Sequence, residues 1–484
     1  MPSRNRNLLL LYFGFVLAIL FAFRFTHVNA LLFLPLVAGI LICSRYSLVT
    51  GLCVFLLYLS VEGALKLMSG YSLPLRLGPD LIIIALLFQT LRLGKLQPQK
   101  PRLFSAPFAI FFLIHVLWVL VEFCNPYSIG LDSSLAGYKV YVSSLLLYFI
   151  AYKAIEKEVD LTQLSWCALG VLTTQVIVAA YQFQIGEAGL VKWSSLYSAA
   201  LGIQFHGLFF RPFGFSNVPG GASTFIYILA PLSVNLLIRQ KKLWSLVFCT
   251  VLLGGIGYVL FISQIRAALI KCAVGLGIYL IFMALRSPRV FIPATAAIAL
   301  GIFSFSLLIG MNDPKLEVAR KRVEALSNIQ TVWEDRSEGT YDSTIRIVTE
   351  QPFGIGLSRV GAASAPFKDR IINDQRYGVI WSFADNLYKA LLIEVGVPGL
   401  IFFILLLAAV SIRAVWLLLV LWKYPTVATY DWMTAATAGV FATYLGHIGS
   451  EGFLYQPEAG LVWLLLGAVL KSGSMSFSSK NSTV

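Results

Sequence analysis

The sequence predicts an all-α integral membrane protein of about 14 transmembrane helices, with one large helical extracytoplasmic loop. Its 484 residues are 58% hydrophobic and only 12% charged, with a mean hydropathy of +0.80. A soluble domain carries about a quarter charged residues. Solid apolar runs, each long enough for about 30 Å of hydrocarbon, recur along most of the chain. Membrane β-barrels have short alternating segments instead, so this pattern excludes them.

The apolar runs place the predicted spans at approximately 8–24, 29–44, 46–68, 78–94, 104–124, 134–153, 163–184, 221–238, 244–262, 267–285, 290–310, 387–412, 431–448 and 457–471. The first run has basic residues before it, as a signal peptide has. A second run follows at once, so we expect an uncleaved span. The predicted parts are an N-terminal bundle of about 11 spans over 1–310, the large loop over 311–386, C-terminal helices over 387–471 and a cytoplasmic tail over 472–484.

The positive charge of the chain, formally +14, predicts its orientation. Basic residues cluster in short loops at 92–102, 239–242 and 286–289. Cytoplasmic loops of membrane proteins carry such an excess of lysine and arginine. We therefore expect both termini in the cytoplasm and the large loop outside. No soluble basic domain is present to bind a nucleic acid, so no nucleic-acid partner is expected.

The predicted loop at 311–386 is the long polar stretch of the sequence, and it contains Arg336 and Arg346 among many charged residues. Apolar residues near helical spacing predict helices at 318–327 and 340–350. A structureless loop of this length would be unusual. We expect a small helical cap over the outer face of the membrane.

Metal, disulfide and nucleotide chemistry lack their usual signatures. The six cysteines are scattered without a CxxC pair, and neither HExxH nor GxSxG occurs. The segment Gln351-Pro-Phe-Gly-Ile-Gly lacks the context of a nucleotide-binding loop, and its spacing favours a plain turn. No cofactor and no metal are expected.

Two arginines in adjacent outward turns are the first candidate site residues. Arg211 opens a turn rich in Gly and Pro, in which Asn217 is a candidate cap for the next helix. Arg266 stands between two apolar spans with almost no loop, where a charge is costly unless it pairs or reaches the interface. Each alone is also consistent with an interfacial anchor. Together they favour a diphosphate site, because guanidinium groups bind phosphate in bidentate fashion.

Three further positions carry candidate chemistry. Asp385 and Asn386 open the span after the large loop, either as a helix cap or with Asp385 orienting an attacking hydroxyl. Glu394 falls two turns deeper, so its burial requires a partner. His447 and Glu451 lie at another outward span end, where a lone histidine is more often structural.

These pieces, in this order, resemble the family of O-antigen ligases and Wzy-type polysaccharide polymerases over roughly residues 205–410. The matching features are Arg211 with its Gly-Asn-Pro turn, Ser-Gln-Ile-Arg266-Ala-Ala, Arg336 ahead of Gln351-Pro-Phe-Gly-Ile-Gly, and Asp385-Asn-Leu-Tyr with Glu394-Val-Gly-Val-Pro-Gly. The ligases that attach O-antigen to lipid A core typically carry His before that Asn. Asp385 at this position resembles the polymerase side of the family.

The resemblance implies a GT-C-like, inverting, metal-independent glycosyltransferase of the bacterial inner membrane. Its donor and acceptor would be undecaprenyl diphosphate-linked oligosaccharides, polymerised into exopolysaccharide or O-antigen at the outer face, with membrane lipids, a flippase and a chain-length regulator as partners. The expected catalytic residues are Asp385 and Arg336. The expected donor-diphosphate residues are Arg211, Arg266, Asn217 and Asn386, with Arg346, Glu394, His447 and Glu451 as further candidates. Two alternatives stay open: ligase-type transfer to another acceptor, and a transporter or lipid flippase.

Overall fold

The computed structural model describes residues 3–26, 28–96, 105–191, 205–206, 209–218, 220–286, 288–310, 316–317, 320, 340–374, 386–422, 427–446 and 452–481. Nearly all regular structure within these ranges is helical. The helices of the first half are α1 Ser3–Thr26, α2 Leu34–Arg45, α3 Leu48–Met68, α4 Leu73–Arg76, α5 Gly78–Leu96, α6 Ala109–Val121, α7 Leu131–Val142, α8 Leu146–Ala154 and α9 Glu158–Val191.

The second half continues with α10 Ala222–Arg239, α11 Leu243–Ile262, α12 Arg266–Arg286, α13 Pro288–Gly310, α14 Thr340–Glu350, α15 Lys368–Ile372, α16 Leu387–Leu421, α17 Val427–Gly446 and α18 Glu458–Asn481. Short 3-10 helices occupy Asn29–Phe33, Glu122–Cys124, Ser143–Leu145, Ala362–Phe367 and Gly452–Leu454.

The helical membrane class is confirmed, and the number of spans stays a prediction. Each of the 14 predicted segments falls on a helix or on a pair of joined helices. Within the described ranges, eight helices are long and apolar enough to cross a membrane: Leu48–Met68, Leu131–Ala154, Glu158–Gly186, Ala222–Arg239, Leu243–Ile262, Arg266–Arg286, Leu387–Leu421 and Glu458–Met475. Shorter apolar helices cover Asn7–Phe23, Asn29–Arg45, Ala109–Cys124 and Phe291–Phe303.

Two local features refine the all-α prediction. A small antiparallel hairpin pairs Phe205–His206 with Phe209–Phe210 and leads directly into Arg211. The predicted helix at 340–350 is present as α14. Its buried Ile347 packs inward while Arg346 and Glu350 are exposed, the division expected of an amphipathic helix. Most of the helix predicted at 318–327 lies outside the described residues.

The centre of the bundle is α3, which is predominantly apolar and almost entirely buried. Ser47 caps its first turn by accepting a hydrogen bond from Thr50 N at 3.2 Å. Around it, α10 packs against α9, α12 and α17, while α18 packs against α8. At the other end of α3, the Ala64 N–H donates to Phe215 O, just after Arg211. We call this end of the bundle the site end, and the end where α3 begins the far end.

Candidate functional site

The turn that carries Arg211 is held by two buried glutamines of α9. Gln182 Oε1 accepts from Phe213 N and Gly214 N at 3.1 and 2.8 Å, and its Nε2 donates to Gly214 O at 2.7 Å. Gln175 Oε1 accepts from Phe215 N at 3.1 Å. An amide buried in an apolar span requires partners, and these two find them in the turn. The sequence shows that these polar residues lie within a span. It does not show which segment they bind.

The same turn is inserted into the last part of α3. Gln175 Nε2 donates to Ser60 O at 2.6 Å, and Ala64 N donates to Phe215 O at 2.8 Å. Ser60 O and Ala64 N would pair with each other in an uninterrupted helix. Gly63 permits this approach, because a side chain there would strike the backbone of Ser216. The position of Arg211 is therefore fixed by both α3 and α9.

Asn217 does not cap the following helix, contrary to the prediction. α10 begins at Ala222, its N-cap residue is Gly221, and no side chain caps it. A capping oxygen reaches the second or third helical N–H only from the N-cap position, and Asn217 precedes that position by several residues. Asn217 lies half-buried in the turn that also carries Arg211.

Arg266 is the first residue of α12 and stands on a sharp turn from α11. Gln264 in this turn has a positive φ of 56°. Gly220, also with positive φ, packs directly on Ile265, and a side chain at position 220 would collide with it. The two arginine-bearing turns are thus in direct contact.

Arg211 and Arg266 form what we call the arginine pair. Arg211 is half-buried, and its burial and the positive charge of Arg266 lower the pKa of its guanidinium. The buried Arg211 Nε has no hydrogen-bond partner among the residues that the structure describes. A buried polar group normally has a partner, and two adjacent cations repel each other unless an anion lies between them. The arrangement fits a phosphate-type anion, whose oxygens accept from guanidinium forks.

A buried ion pair lies below the arginine pair, five residues along α12. Lys271 Nζ and Glu458 Oε1 are 3.2 Å apart, and their side chains are 3% and 4% exposed. The Lys271 Nζ also lies 4.6 Å from the centre of the Tyr227 ring. This pair joins α10, α12 and the start of α18. Sequence analysis did not single it out, although an ionisable residue inside a span is itself a signal.

Asn386 caps α16, as one of the two interpretations of this position predicted. Its Oδ1 accepts from Tyr388 N at 2.8 Å and from Lys389 N at 3.3 Å. The neighbouring Asp385 lies outside the described residues. The cap fixes where this helix begins, directly after the segment that carries the candidate carboxylate.

Ten residues after the cap, α16 is broken at Gly396, where φ is 68°. The segment Gln351-Pro-Phe-Gly-Ile-Gly docks into this break. Ile355 N donates to Ile393 O and Val397 N donates to Pro352 O, both at 2.8 Å. A side chain on Gly354 would come within 2.7 Å of the Glu394 carbonyl oxygen. The plain turn favoured by the spacing is therefore a structural insert that completes a broken helix.

Glu394 has the partners that its depth requires. It is 3% exposed, its Oε2 accepts from Tyr141 Oη at 2.8 Å, and its Oε1 accepts from Val360 N at 2.9 Å. Asn125 Nδ2 adds a hydrogen bond to Gly354 O at 3.1 Å. Glu394 thus ties α7 and the backbone at Val360, which follows the docked segment, to α16.

The remaining candidates are distributed as follows. Arg346 lies on α14 with its side chain 61% exposed, and its Nε is 3.9 Å from Glu350. Arg336, His447 and Glu451 lie outside the described residues.

A buried arginine that sequence analysis missed is Arg359, whose Nη1 is 2.5 Å from Asp374 Oδ2. Over the described ranges, no group of three or more His, Cys, Asp or Glu side chains is arranged to hold a metal ion.

Residues 250–404 match the sequence model of a family described as O-antigen ligase. A comparison with curated proteins finds no match for the chain. The matched segment is about a third of the sequence, and it contains Arg266, the docked insert, Asn386 and the break in α16. It falls inside the range over which the motifs resemble this family. Over residues 250–404, this helical membrane protein is therefore similar to the O-antigen ligase family.

Proposed function

We propose that this protein polymerises polyprenyl diphosphate-linked oligosaccharides by transferring the glycan of one lipid carrier to a hydroxyl of another. The observation that carries the proposal is the arginine pair. A half-buried guanidinium whose Nε has no partner among the described residues, beside a second cation, suits the diphosphate of such a donor. The order of motifs along the family segment supports the same substrate class.

The proposed step is an inverting displacement. The acceptor oxygen attacks the anomeric carbon, the bond from that carbon to the diphosphate oxygen breaks, and the electron pair leaves with the diphosphate. Arg211 and Arg266 stabilise the charge that develops on the leaving group, so no metal is required. We further assign Asn217 and Asn386 to the donor site, and Arg336 to the reacting diphosphate.

The acceptor hydroxyl transfers its proton to the Asp385 carboxylate in this proposal. Asp385 directly precedes the Asn386 cap, so a fixed helix end would hold it at the membrane surface. A carboxylate at such a position can orient or deprotonate a sugar hydroxyl. The large loop would exclude water from the reaction.

The positive-inside pattern supports placing the site end outside the bacterial inner membrane, with both termini in the cytoplasm. Nucleotide sugars are not available there, so the donor must arrive activated on its lipid. A flippase that delivers the repeat unit and a chain-length regulator would be partners.

A second candidate is ligase-type transfer of a finished glycan to another acceptor, which the name of the matching family, O-antigen ligase, favours. Asp385 at the position where ligases carry His favours the polymerase. A transporter or lipid flippase is the alternative from another class.

The test is analysis of glycans in a deletion strain complemented with wild type or with Arg266→Ala. We expect a single lipid-linked repeat to accumulate in the deletion strain, with polymer restored by wild type and not by Arg266→Ala. Full-length polymer that stays on its carrier would identify a ligase. Unchanged glycans would support the transporter.

Arg370→Gln is the matched control. Arg370 is exposed and pairs with Asp132 at 2.9 Å. The substitution removes one positive charge and leaves the arginine pair intact. Immunoblotting of membranes is the check that all variants accumulate equally. Equal restoration of polymer by Arg266→Ala and Arg370→Gln would remove Arg266 from the site.

A further inference from the structure

A cavity of about 550 Å³ lies at the far end of the bundle. It is formed where α2, α5 and α8 end and where α3 and α9 begin. Since Ala64, which contacts the turn of Arg211, lies 16 residues after Leu48 in α3, the cavity is about 24 Å from that turn. The proposed glycosyl transfer does not use it. Its volume is that of an ordinary small-molecule site.

The cavity is lined by more cations than anions. The basic lining residues are Arg45, Arg92, Lys153 and Lys157, and the acidic ones are Glu156 and Asp160. Asp160 is already engaged, since its Oδ2 accepts from the backbone N–H groups of Glu156 and Lys157 at 2.9 and 2.8 Å. An excess of positive charge around a cavity attracts an anion.

Two polar features belong to the lining of the same cavity. Gln89 is 7% exposed and donates through Nε2 to Tyr46 O, and its buried Oε1 has no partner within the described part of the chain. The N-terminus of α3 contributes Leu48 and Val49 to the lining. A helix N-terminus favours phosphate, and an unpaired amide oxygen favours a hydroxyl donor beside it.

Exposed apolar side chains lie one helical turn before two of the lining arginines. Leu41 is four residues before Arg45 on α2, and Phe88 is four residues before Arg92 on α5, so each apolar residue shares a helix face with its arginine. Leu41 is 49% exposed and Phe88 is 68% exposed. A cation at the helix end with exposed apolar surface one turn deeper complements a phosphate group joined to acyl chains.

We propose that this cavity binds the headgroup of an anionic phospholipid whose phosphate carries a hydroxylated substituent, as in phosphatidylglycerol. Its phosphate lies among the four cations, a headgroup hydroxyl donates to Gln89 Oε1, and its acyl chains run along the surface that contains Leu41 and Phe88. Basic pockets between membrane helices bind anionic headgroups in this manner.

The test is native mass spectrometry of the purified, delipidated full-length protein. Phosphatidylglycerol, phosphatidylcholine with identical chains, and inorganic phosphate are added separately. We expect one phosphatidylglycerol to bind in preference to phosphatidylcholine. Arg45→Gln/Arg92→Gln should weaken that binding about 25-fold, about fivefold for each cation. Lys241→Gln/Lys242→Gln, an equal change of charge at exposed lysines outside the cavity, should leave it unchanged.

Three results would overturn the proposal. Equal binding of phosphatidylcholine would mean that only the apolar surface is recognised. Displacement of the lipid by inorganic phosphate would mean a site for the free ion. Equal losses in both double variants would mean general attraction to surface charge. Should the arginine variant fail to fold, Lys157→Gln, exposed and outside the helices, carries the test with an expected weakening of about fivefold.

Discussion

Arg211 and Lys271 are two cations at the site end of the bundle that differ in what lies beside them. Lys271 is neutralised by Glu458 at 3.2 Å, whereas the Arg211 Nε lacks a partner among the described residues and Arg266 adds a like charge. A neutralised buried pair stabilises an arrangement of helices, while an uncompensated pair of cations binds an anion. This contrast supports a structural role for Lys271 and is consistent with the proposed role of Arg211 in substrate binding.

The Lys271–Glu458 pair yields a stability prediction. Glu458→Gln leaves a buried ammonium unpaired and should lower the free energy of unfolding by about 3–5 kcal/mol. Lys271→Met/Glu458→Gln removes both charges and should recover most of that loss. Thermal unfolding in detergent measures both variants. A double variant as unstable as the single one would mean that the charges do not act as a pair.

The helix cap formed by Asn386 gives a second stability prediction. Asn386→Ala removes the acceptor for two backbone N–H groups of α16 and should cost about 1 kcal/mol of stability. Asn386→Ser keeps a capping oxygen and should remain close to wild type in melting temperature. If the Asn386→Ser variant lost polymer yield at unchanged stability, the side-chain amide of Asn386 would act on the substrate as well as capping the helix.

At the scale of elements, the sequence predicted helices well and their interruptions poorly. Long apolar runs predict spans because hydrocarbon requires internally bonded backbone. The break in α16 depends on Gly354 and Gly396, which lie 42 positions apart in the numbering and meet only in the folded chain. Gln182 likewise bonds to residues more than 30 positions away. Such contacts have no periodic signature in a single sequence.

Gly396→Ala tests the role of the break. The new side chain would strike the backbone of Phe353 and would require a left-handed φ, which costs about 1–3 kcal/mol before any collision. We expect a lower melting temperature and loss of polymer.

Gly277→Ala is the control for this variant. Gly277 lies within α12 with open space around it, so alanine there should be neutral or stabilising by up to about 1 kcal/mol. Equal tolerance of alanine at both positions would contradict the account of the docked insert.

For the whole molecule, a bundle of helices brings distant motifs to one end. The turn of Arg211, the start of α12, the broken α16 and the start of α18 are far apart in sequence. The first, second and fourth become neighbours through the contacts of Gly220 with Ile265 and of Lys271 with Glu458. Tyr141 joins the broken α16 to α7 through Glu394. Successive predicted spans cross the membrane in alternate directions, so the turns of Arg211 and Arg266 were expected at the same end of the bundle. This is why the arginine pair was predictable. The glutamines and the buried ion pair that support it were not, because they require knowledge of which helices pack together.

The most direct measurement of the central claim is elongation by the purified protein in liposomes containing polyprenyl diphosphate-linked repeat units, with a metal chelator present. We predict longer lipid-linked glycans, release of one polyprenyl diphosphate per bond formed, and a rate about 10²–10³-fold lower for Arg266→Ala. Elongation that stops on chelation, or an Arg266→Ala variant as fast as wild type, would contradict the account.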